Sequence, residues 1–253
     1  MPDEGEGRER RPPPAGREAF RALGDPRARP NVDWVAALAS RGADDLRGPL
    51  AELDGLAELD REIRRRQRAA GRRSFAQFRA PFDLYLLVRL LRPDHVVETG
   101  VSSGVSSAHF LAALRKNGRG VLHSIDQPTA QAGERFGPRD SPVALPRGHR
   151  TGWVVPEDLR AGWDLRIGPS QRLLPELVAD LPSLGMFLHD SYHTPGHLAF
   201  ELETVRPKLR TGAVLLADNT QWTGKAFDRF AARHSVPVLR RGRSDLVGCR
   251  FPG

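Results

Sequence analysis

With 253 residues the chain can bury the core of one α/β domain of ordinary size. Hydrophobic residues at 39% and charged residues at 28% are those of a soluble globular protein, and no apolar run approaches the roughly 20 residues a membrane helix needs. Cys249 is the only cysteine, which excludes an intramolecular disulfide and a cysteine-based metal cage, and the net charge of +8, carried almost wholly by arginine, reads as the compositional bias of a chain rich in Ala, Gly and Pro or as a surface for nucleic acid or an anionic substrate.

Residues 1–30 cluster Pro, Gly, Arg and Glu with almost no large apolar side chain, which predicts a disordered tail. The Arg- and Glu-rich start has no apolar stretch behind it and does not read as a secretory signal, so a cytoplasmic protein is expected. From Val32 to Ala69 the pattern is helical. Trp34, Val35 and Leu38 form one cluster, and Leu50, Leu53, Leu56, Leu59 and Ile63 recur every three or four residues, predicting a helical N-terminal cap over 31–81. The basic run Arg61 to Arg79, with Phe75 and Phe78 at helical spacing, reads as a solvated helix face or as an RNA-binding arm. Phe82, Leu84, Leu86, Leu87, Leu90 and Leu91 continue as a helix that stops at Arg92, before Pro93.

Strands and helices then alternate. Strands are expected at His95–Glu98, Gly120–Ile125, Trp163–Ile167, Met186–Asp190 and Ala213–Asp218. Helices are expected at Ser107–Lys116, Gln171–Ala179, His197–Leu209 and Gly224–His234. Val236–Leu239 and Leu246–Phe251 lack a helix between them and predict a closing pair with one strand antiparallel. Residues 127–155 are rich in Pro, Gly and Arg without a period and are read as a long lid or substrate loop. The expected fold is α/β and Rossmann-like: a mostly parallel seven-stranded sheet with helices on both faces, one domain over 82–253, and an N-terminal helical extension.

The chemistry begins at Glu98-Thr-Gly100-Val-Ser-Ser-Gly104-Val-Ser106, between a strand and a helix. Glycines let backbone approach a ligand closely, and a helix start offers free N–H groups to an anionic group. Asp126 closes the next strand, 26 residues after Gly100, where an acid accepts hydrogen bonds from both hydroxyls of a ribose. An adenosine-containing cofactor follows; the spacing departs from G-x-G-x-x-G, which argues against a dinucleotide.

Four segments resemble the class I S-adenosylmethionine-dependent methyltransferases, particularly the metal-dependent catechol O-methyltransferase-like group. Residues 98–106 are similar to its cofactor motif. Gly168-Pro-Ser170-Gln171, followed by Leu174-Pro-Glu-Leu177, is similar to its adenine-contacting turn. Asp190-Ser-Tyr-His193 resembles the segment with the first metal carboxylate and the catalytic base. Leu215-Leu-Ala-Asp218-Asn219, with Gly224 after it, resembles the segment with the other two ligands. The resemblance spans about 82–251 and implies a cofactor-binding set of Glu98, Gly100, Ser102, Gly104, Ser106, Asp126, Ser170, Gln171, Asp190 and Tyr192. The family has an aromatic residue where Ser102 stands and a lysine where His193 stands.

Beside that resemblance, Asp190 and Asp218 each end a predicted strand, and strand C-termini line the crevice of an open parallel sheet. With Asn219 they would offer three hard oxygen donors, suited to Mg²⁺ or another divalent cation. The alternative is that either acid caps a helix or touches cofactor. His193 is the candidate general base, since an imidazole with an unperturbed pKa near 6.5 can accept a phenol or alcohol proton. His197 is a candidate second ligand or substrate contact. Tyr192 and Trp222 would wall a flat acceptor or pack as core. The function expected is O-methyl transfer from S-adenosylmethionine to a hydroxylated small molecule, with secondary metabolism as the expected setting. An RNA methyltransferase using the basic helix and a non-catalytic cofactor-binding module are the alternatives. Nucleic acid and membrane are not expected as partners, whereas an apolar face left open on the N-terminal helices would make a homodimer.

Overall fold

A computed structural model describes residues 29–70, 78–128, 145–146, 148–242 and 244–252. Residues 1–28 of the expected tail, most of the 127–155 loop and Phe75 of the basic run lie outside the described residues. The elements in chain order are α1 (Val32–Ala39), α2 (Ala43–Ala51), α3 (Leu53–Ala69), α4 (Pro81–Leu91), β1 (His95–Thr99), α5 (Val105–Asn117), β2 (Val121–Asp126), β3 (Trp163–Ile167), α6 (Ser170–Asp180), β4 (Leu184–His189), α7 (Pro195–Val205), β5 (Leu209–Ala217), α8 (Ala226–Arg233), β6 (Leu239–Arg240) and β7 (Val247–Arg250). No described helix is long and apolar enough to cross a membrane.

The seven strands lie in the order β3-β2-β1-β4-β5-β7-β6. β1 to β5 are parallel to one another, and β7 runs antiparallel to both β5 and β6. Alternation along each strand divides the core into two layers. Val96, Leu122, Met186, Leu188, Val214 and Leu216 face α1 to α5. Val97, Ile125, Phe187, Leu215 and Ala217 face α6 to α8. Because both faces are covered, the central strands are nearly continuous apolar runs, as a parallel sheet requires. Trp34, Val35, Leu38, Leu53, Leu56 and Ile63 of the N-terminal helices belong to the same buried cluster as one sheet face.

Local chemistry explains most of the helix ends. Asn31 caps α1 by accepting from the Trp34 N–H at 3.1 Å, Pro81 opens α4, and Arg92 ends it in the left-handed region just before Pro93. Two of the boundaries that differ from the sequence reading have a local cause. The helix expected to reach Leu209 ends at Val205, because Pro207 lacks an N–H; a 3-10 turn over Arg206–Lys208 follows, and Leu209 already pairs with Leu184 in the sheet. The closing hairpin forms at Leu239–Arg240 and Val247–Arg250. Val236 is held back by its N–H bond to the Ala231 carbonyl, which closes the end of α8.

Candidate active site

β1 is paired with β2 on one side and β4 on the other, so the chain reverses its direction of winding at the C-terminal end of β1. Such a switch point opens a crevice in a doubly wound sheet. Gly100 stands there with φ +85°, its N–H bonded to the Ile125 carbonyl at 2.9 Å. A Cβ on it would lie 1.9 Å from the Asp190 carbonyl oxygen, so glycine is what lets the two strand ends meet. The loop curls on through Ser102 at φ 50° to Gly104 at φ +97°, which caps α5. The Ser102 hydroxyl is buried with no hydrogen-bond partner. A glycine cradle and an orphaned hydroxyl at a helix start fit a bound cofactor end.

Asp126 ends β2 under this loop. Its Oδ1 accepts from the backbone N–H groups of Val101 (3.0 Å) and Ser102 (3.4 Å), and its Oδ2 accepts from the Thr151 hydroxyl at 2.6 Å. Thr151 begins a strap over the loop: Gly152 N–H bonds the Ser102 carbonyl at 2.9 Å and Val154 N–H bonds the Ser103 carbonyl at 3.1 Å. Arg160 donates to the carbonyls of Gly152 and Val155, and Arg66 to that of Val154. Arg66 therefore staples the strap to α3, whose Gln67 amide also reaches the Ser103 hydroxyl at 3.1 Å, while Arg160 ties the strap to the 3-10 turn over Glu157–Gly162 that follows it.

Glu98 and Ser106, both expected to contact cofactor, bond to each other. Glu98 is fully buried and accepts from the hydroxyls of Ser106, Ser107 and Ser124. Burial pushes its pKa up to about 7, against the opposing effect of the three serines. A carboxyl raised in the fold holds a proton that the unfolded chain has already released, so ν_N exceeds ν_U and stability falls as pH rises through 7. Asp83, raised to about 6, and Asp218, raised to about 7, slope the same way. The melting temperature is expected to drop between about pH 4 and pH 7, where the unfolded carboxyls have ionised and the folded ones have not, and Glu98→Gln to flatten part of that drop. An unchanged slope in the variant would refute the assignment.

Asp190 follows β4, and Asp218 and Asn219 follow the neighbouring β5, with the Asp218 N–H on the His189 carbonyl at 3.0 Å. The structure brings these residues around His193. Its Nε2 lies 3.5 Å from Asp190 Oδ1 and 3.5 Å from the Asn219 amide nitrogen. The Trp222 ring, 38% exposed, stands edge-on at 5.7 Å from the His193 ring. Burial and the Asp190 charge push the Asp218 pKa up to about 7. Among the described residues no three His, Cys, Asp or Glu side chains group as a metal site. Two acids and an amide are the donor set present. Hard oxygens with repelling negative charge fit a divalent cation, which would offset that repulsion.

On the other side of the crevice, Ser170 opens α6 and Gln171 is exposed beside it. His197 is buried: its Nε2 lies 3.0 Å from the Ser170 hydroxyl and 2.9 Å from Glu201 Oε1, and its ring stands 5.7 Å from Tyr192. That placement ties it to Ser170 and Glu201 rather than to the two acids. Burial alone would raise the pKa of Glu201, but His189 and His197 outweigh it and hold the carboxyl well below its ordinary value. The sequence reading passed over Thr151, Ile167 and Glu201, and ranked His189 below His197. Ile167, 43% exposed, ends β3 just before the Gly168 turn. The i, i+4 spacing of His197 and Glu201 was a visible signal, while Thr151 sits in an aperiodic segment that offered none.

Comparison with known proteins agrees with this geometry. Residues 97–220 match a family model described as a methyltransferase domain. The O-methyltransferase TomG from Streptomyces achromogenes, solved with S-adenosylmethionine and involved in tomaymycin synthesis, aligns with TM-score 0.52 at 17% identity, over 77% of this chain and 89% of that one. The methyltransferase PaMTH1 from Podospora anserina, bound to S-adenosylhomocysteine, aligns with TM-score 0.51 at 13% identity, over 97% and 100%. An O-methyltransferase from Bacillus cereus with S-adenosylhomocysteine gives TM-score 0.50 at 12% identity, over 76% and 90%. No curated protein matches the chain by sequence. With the glycine loop and acid at the switch point of a seven-stranded sheet, and a methyltransferase domain matched over residues 97–220, the fold is the Rossmann-like fold of the class I S-adenosylmethionine-dependent methyltransferases.

Proposed function

We propose that the protein transfers the methyl group of S-adenosylmethionine to a hydroxyl oxygen of a small molecule, with His193 as proton acceptor. The observation that carries this reading is the convergence of Asp190, Asp218 and Asn219 on His193 at the strand ends next to the Gly100 loop. Two structural neighbours described as O-methyltransferases point to the same atom type.

In this reading Gly100 and Gly104 shape the loop under the cofactor, and the Ser102 hydroxyl finds its missing partner there. Asp126, already held by two backbone N–H groups and Thr151, keeps lone pairs for ribose hydroxyls. Ser170, Gln171 and the exposed face of Ile167 border the adenine. Tyr192 and Trp222 wall the acceptor. His193 takes the acceptor proton as the oxygen attacks, and Asp190 stabilises the imidazolium that results. The methyl carbon passes directly from sulfur to oxygen, so alignment of the two molecules supplies much of the acceleration. Asp190, Asp218 and Asn219 would hold Mg²⁺ or a similar cation, which when bound supplies Lewis acidity that lowers the pKa of the acceptor hydroxyl. The basic helix supports RNA binding less well, since Arg64, Arg65 and Arg66 are paired with Asp60 and Glu62 on the same helix.

Calorimetric titration of S-adenosylmethionine into metal-stripped protein, repeated with Mg²⁺ and 3,4-dihydroxybenzoate, tests this. Cofactor is expected to bind without metal, and the acceptor to give heat only once Mg²⁺ is added. Asp218→Ala should keep cofactor affinity and lose metal-dependent turnover. Full turnover in that variant would remove the cation from the reading, and no cofactor binding would overturn it entirely.

A further inference from the structure

Glu201 is fully buried at the middle of α7, outside every segment that carries the methyltransferase resemblance. Four donors from three parts of the site converge on it. Its Oε2 accepts from the Thr99 hydroxyl at 2.7 Å and from His189 Nδ1 at 2.7 Å; its Oε1 accepts from the Ser191 hydroxyl at 3.0 Å and from His197 Nε2 at 2.9 Å. Thr99 is the last residue of β1 and leads directly into Gly100. His189 is the last residue of β4 and leads directly into Asp190. Ser191 lies between Asp190 and His193. His197 Nε2 is also within 3.0 Å of the Ser170 hydroxyl at the start of α6, so its N–H is shared between Ser170 and Glu201.

A carboxylate taken out of water is retained only where its lone pairs are satisfied, and this one has both oxygens doubly engaged. Packing alone could be met at this position by an apolar side chain on α7, next to Leu198 and Leu202. What an apolar side chain could not do is hold two adjacent strand ends and the loop between Asp190 and His193 in one register. Hydrogen bonds to a single charged acceptor are directional and strong, so the three elements cannot shift independently.

We infer that Glu201 is a positioning residue for methyl transfer, setting the loop of Asp190 and His193 against the Gly100 turn and the Ser170 helix start. The inference rests on the role proposed above for Asp190 and His193. Through Thr99 and Ser170 it acts on the cofactor side of the crevice, and through His189 and Ser191 on the acceptor side. His189 transmits the constraint by its Nδ1–H; its Nε2 is buried without a partner, and its ring stands 5.5 Å from that of His193.

The test needs no acceptor. In histidine-labelled protein, Glu201→Gln is expected to displace the ring resonances of His193 and to weaken S-adenosylhomocysteine binding about 10-fold, as loss of bonds to a charged group predicts. The resonances of His95, on the far side of the sheet's ligand end, stay in place. Ser191→Ala removes one bond of the four and decides the matter should the glutamine variant fail to fold. It is expected to move the His193 resonances and leave S-adenosylhomocysteine affinity within about 2-fold, since the Thr99 and Ser170 links persist. Unmoved His193 resonances in the folded variants overturn the inference, even where the melting temperature falls. Failure of the acceptor reading is separately visible: His193→Ala with undiminished methyl transfer refutes that reading whatever Glu201 does.

Discussion

Gly100→Ala is expected to abolish S-adenosylmethionine binding and to destabilise the protein by about 4 kcal/mol or more, at the upper end of single-substitution effects. Two penalties combine. The backbone at Gly100 has φ +85°, a conformation that costs an L-residue roughly 1–2 kcal/mol. The larger one is steric. The new Cβ would lie 1.9 Å from the Asp190 carbonyl oxygen, 2.5 Å from its carbon and 2.9 Å from the Ser191 nitrogen. These are backbone atoms, so no rotamer change relieves the overlap and β1 and β4 must separate at their C-terminal ends. Gly118 supplies the control. It has φ +67° with nothing within 4 Å of its added Cβ, so Gly118→Ala should cost only about 1 kcal/mol. Urea denaturation and calorimetric titration of the two variants measure both effects. Equal stability of the two would show that the strand ends yield easily and that close approach is not what position 100 requires.

His193→Ala should lower kcat for methyl transfer to a catechol such as 3,4-dihydroxybenzoate by about 10²–10⁴, the usual contribution of a general base. S-adenosylmethionine affinity should stay within about 3-fold, because the ring contacts Asp190, Asn219 and Trp222 rather than the glycine loop. The split between kcat and cofactor affinity separates a proton acceptor from a residue that only shapes the crevice. Transfer of label from S-adenosyl-methionine carrying a radioactive methyl group measures the rate. A loss confined to cofactor affinity, with kcat unchanged, would move His193 out of the proton-accepting role.

Much of the architecture was legible because its signals are local. Five apolar runs separated by helical periods could only be the strands of a sheet covered on both faces, and a glycine loop after the first with an acid after the second marked the cofactor end. The reading went wrong where a local signal competed with a neighbour. Apolar spacing from His197 onward carried the expected helix past Val205, whereas Pro207 breaks the hydrogen-bond ladder there. Val236 has strand character, yet its N–H is claimed by the end of α8.

Sequence alone determined the alternation of strands and helices, the position of the Gly100 loop and the strand-end placement of Asp126, Asp190 and Asp218, because each depends on residues within a few positions of one another. Tertiary structure alone decided which groups meet. Ser106 turns onto Glu98, Thr151 onto Asp126, and His197 onto Ser170. Those contacts join residues up to 27 positions apart, and Thr99 lies 102 from Glu201. No periodicity carries such distances. They follow from the order β3-β2-β1-β4-β5, which sets β1 beside β4 and so brings the end of each to one buried carboxylate.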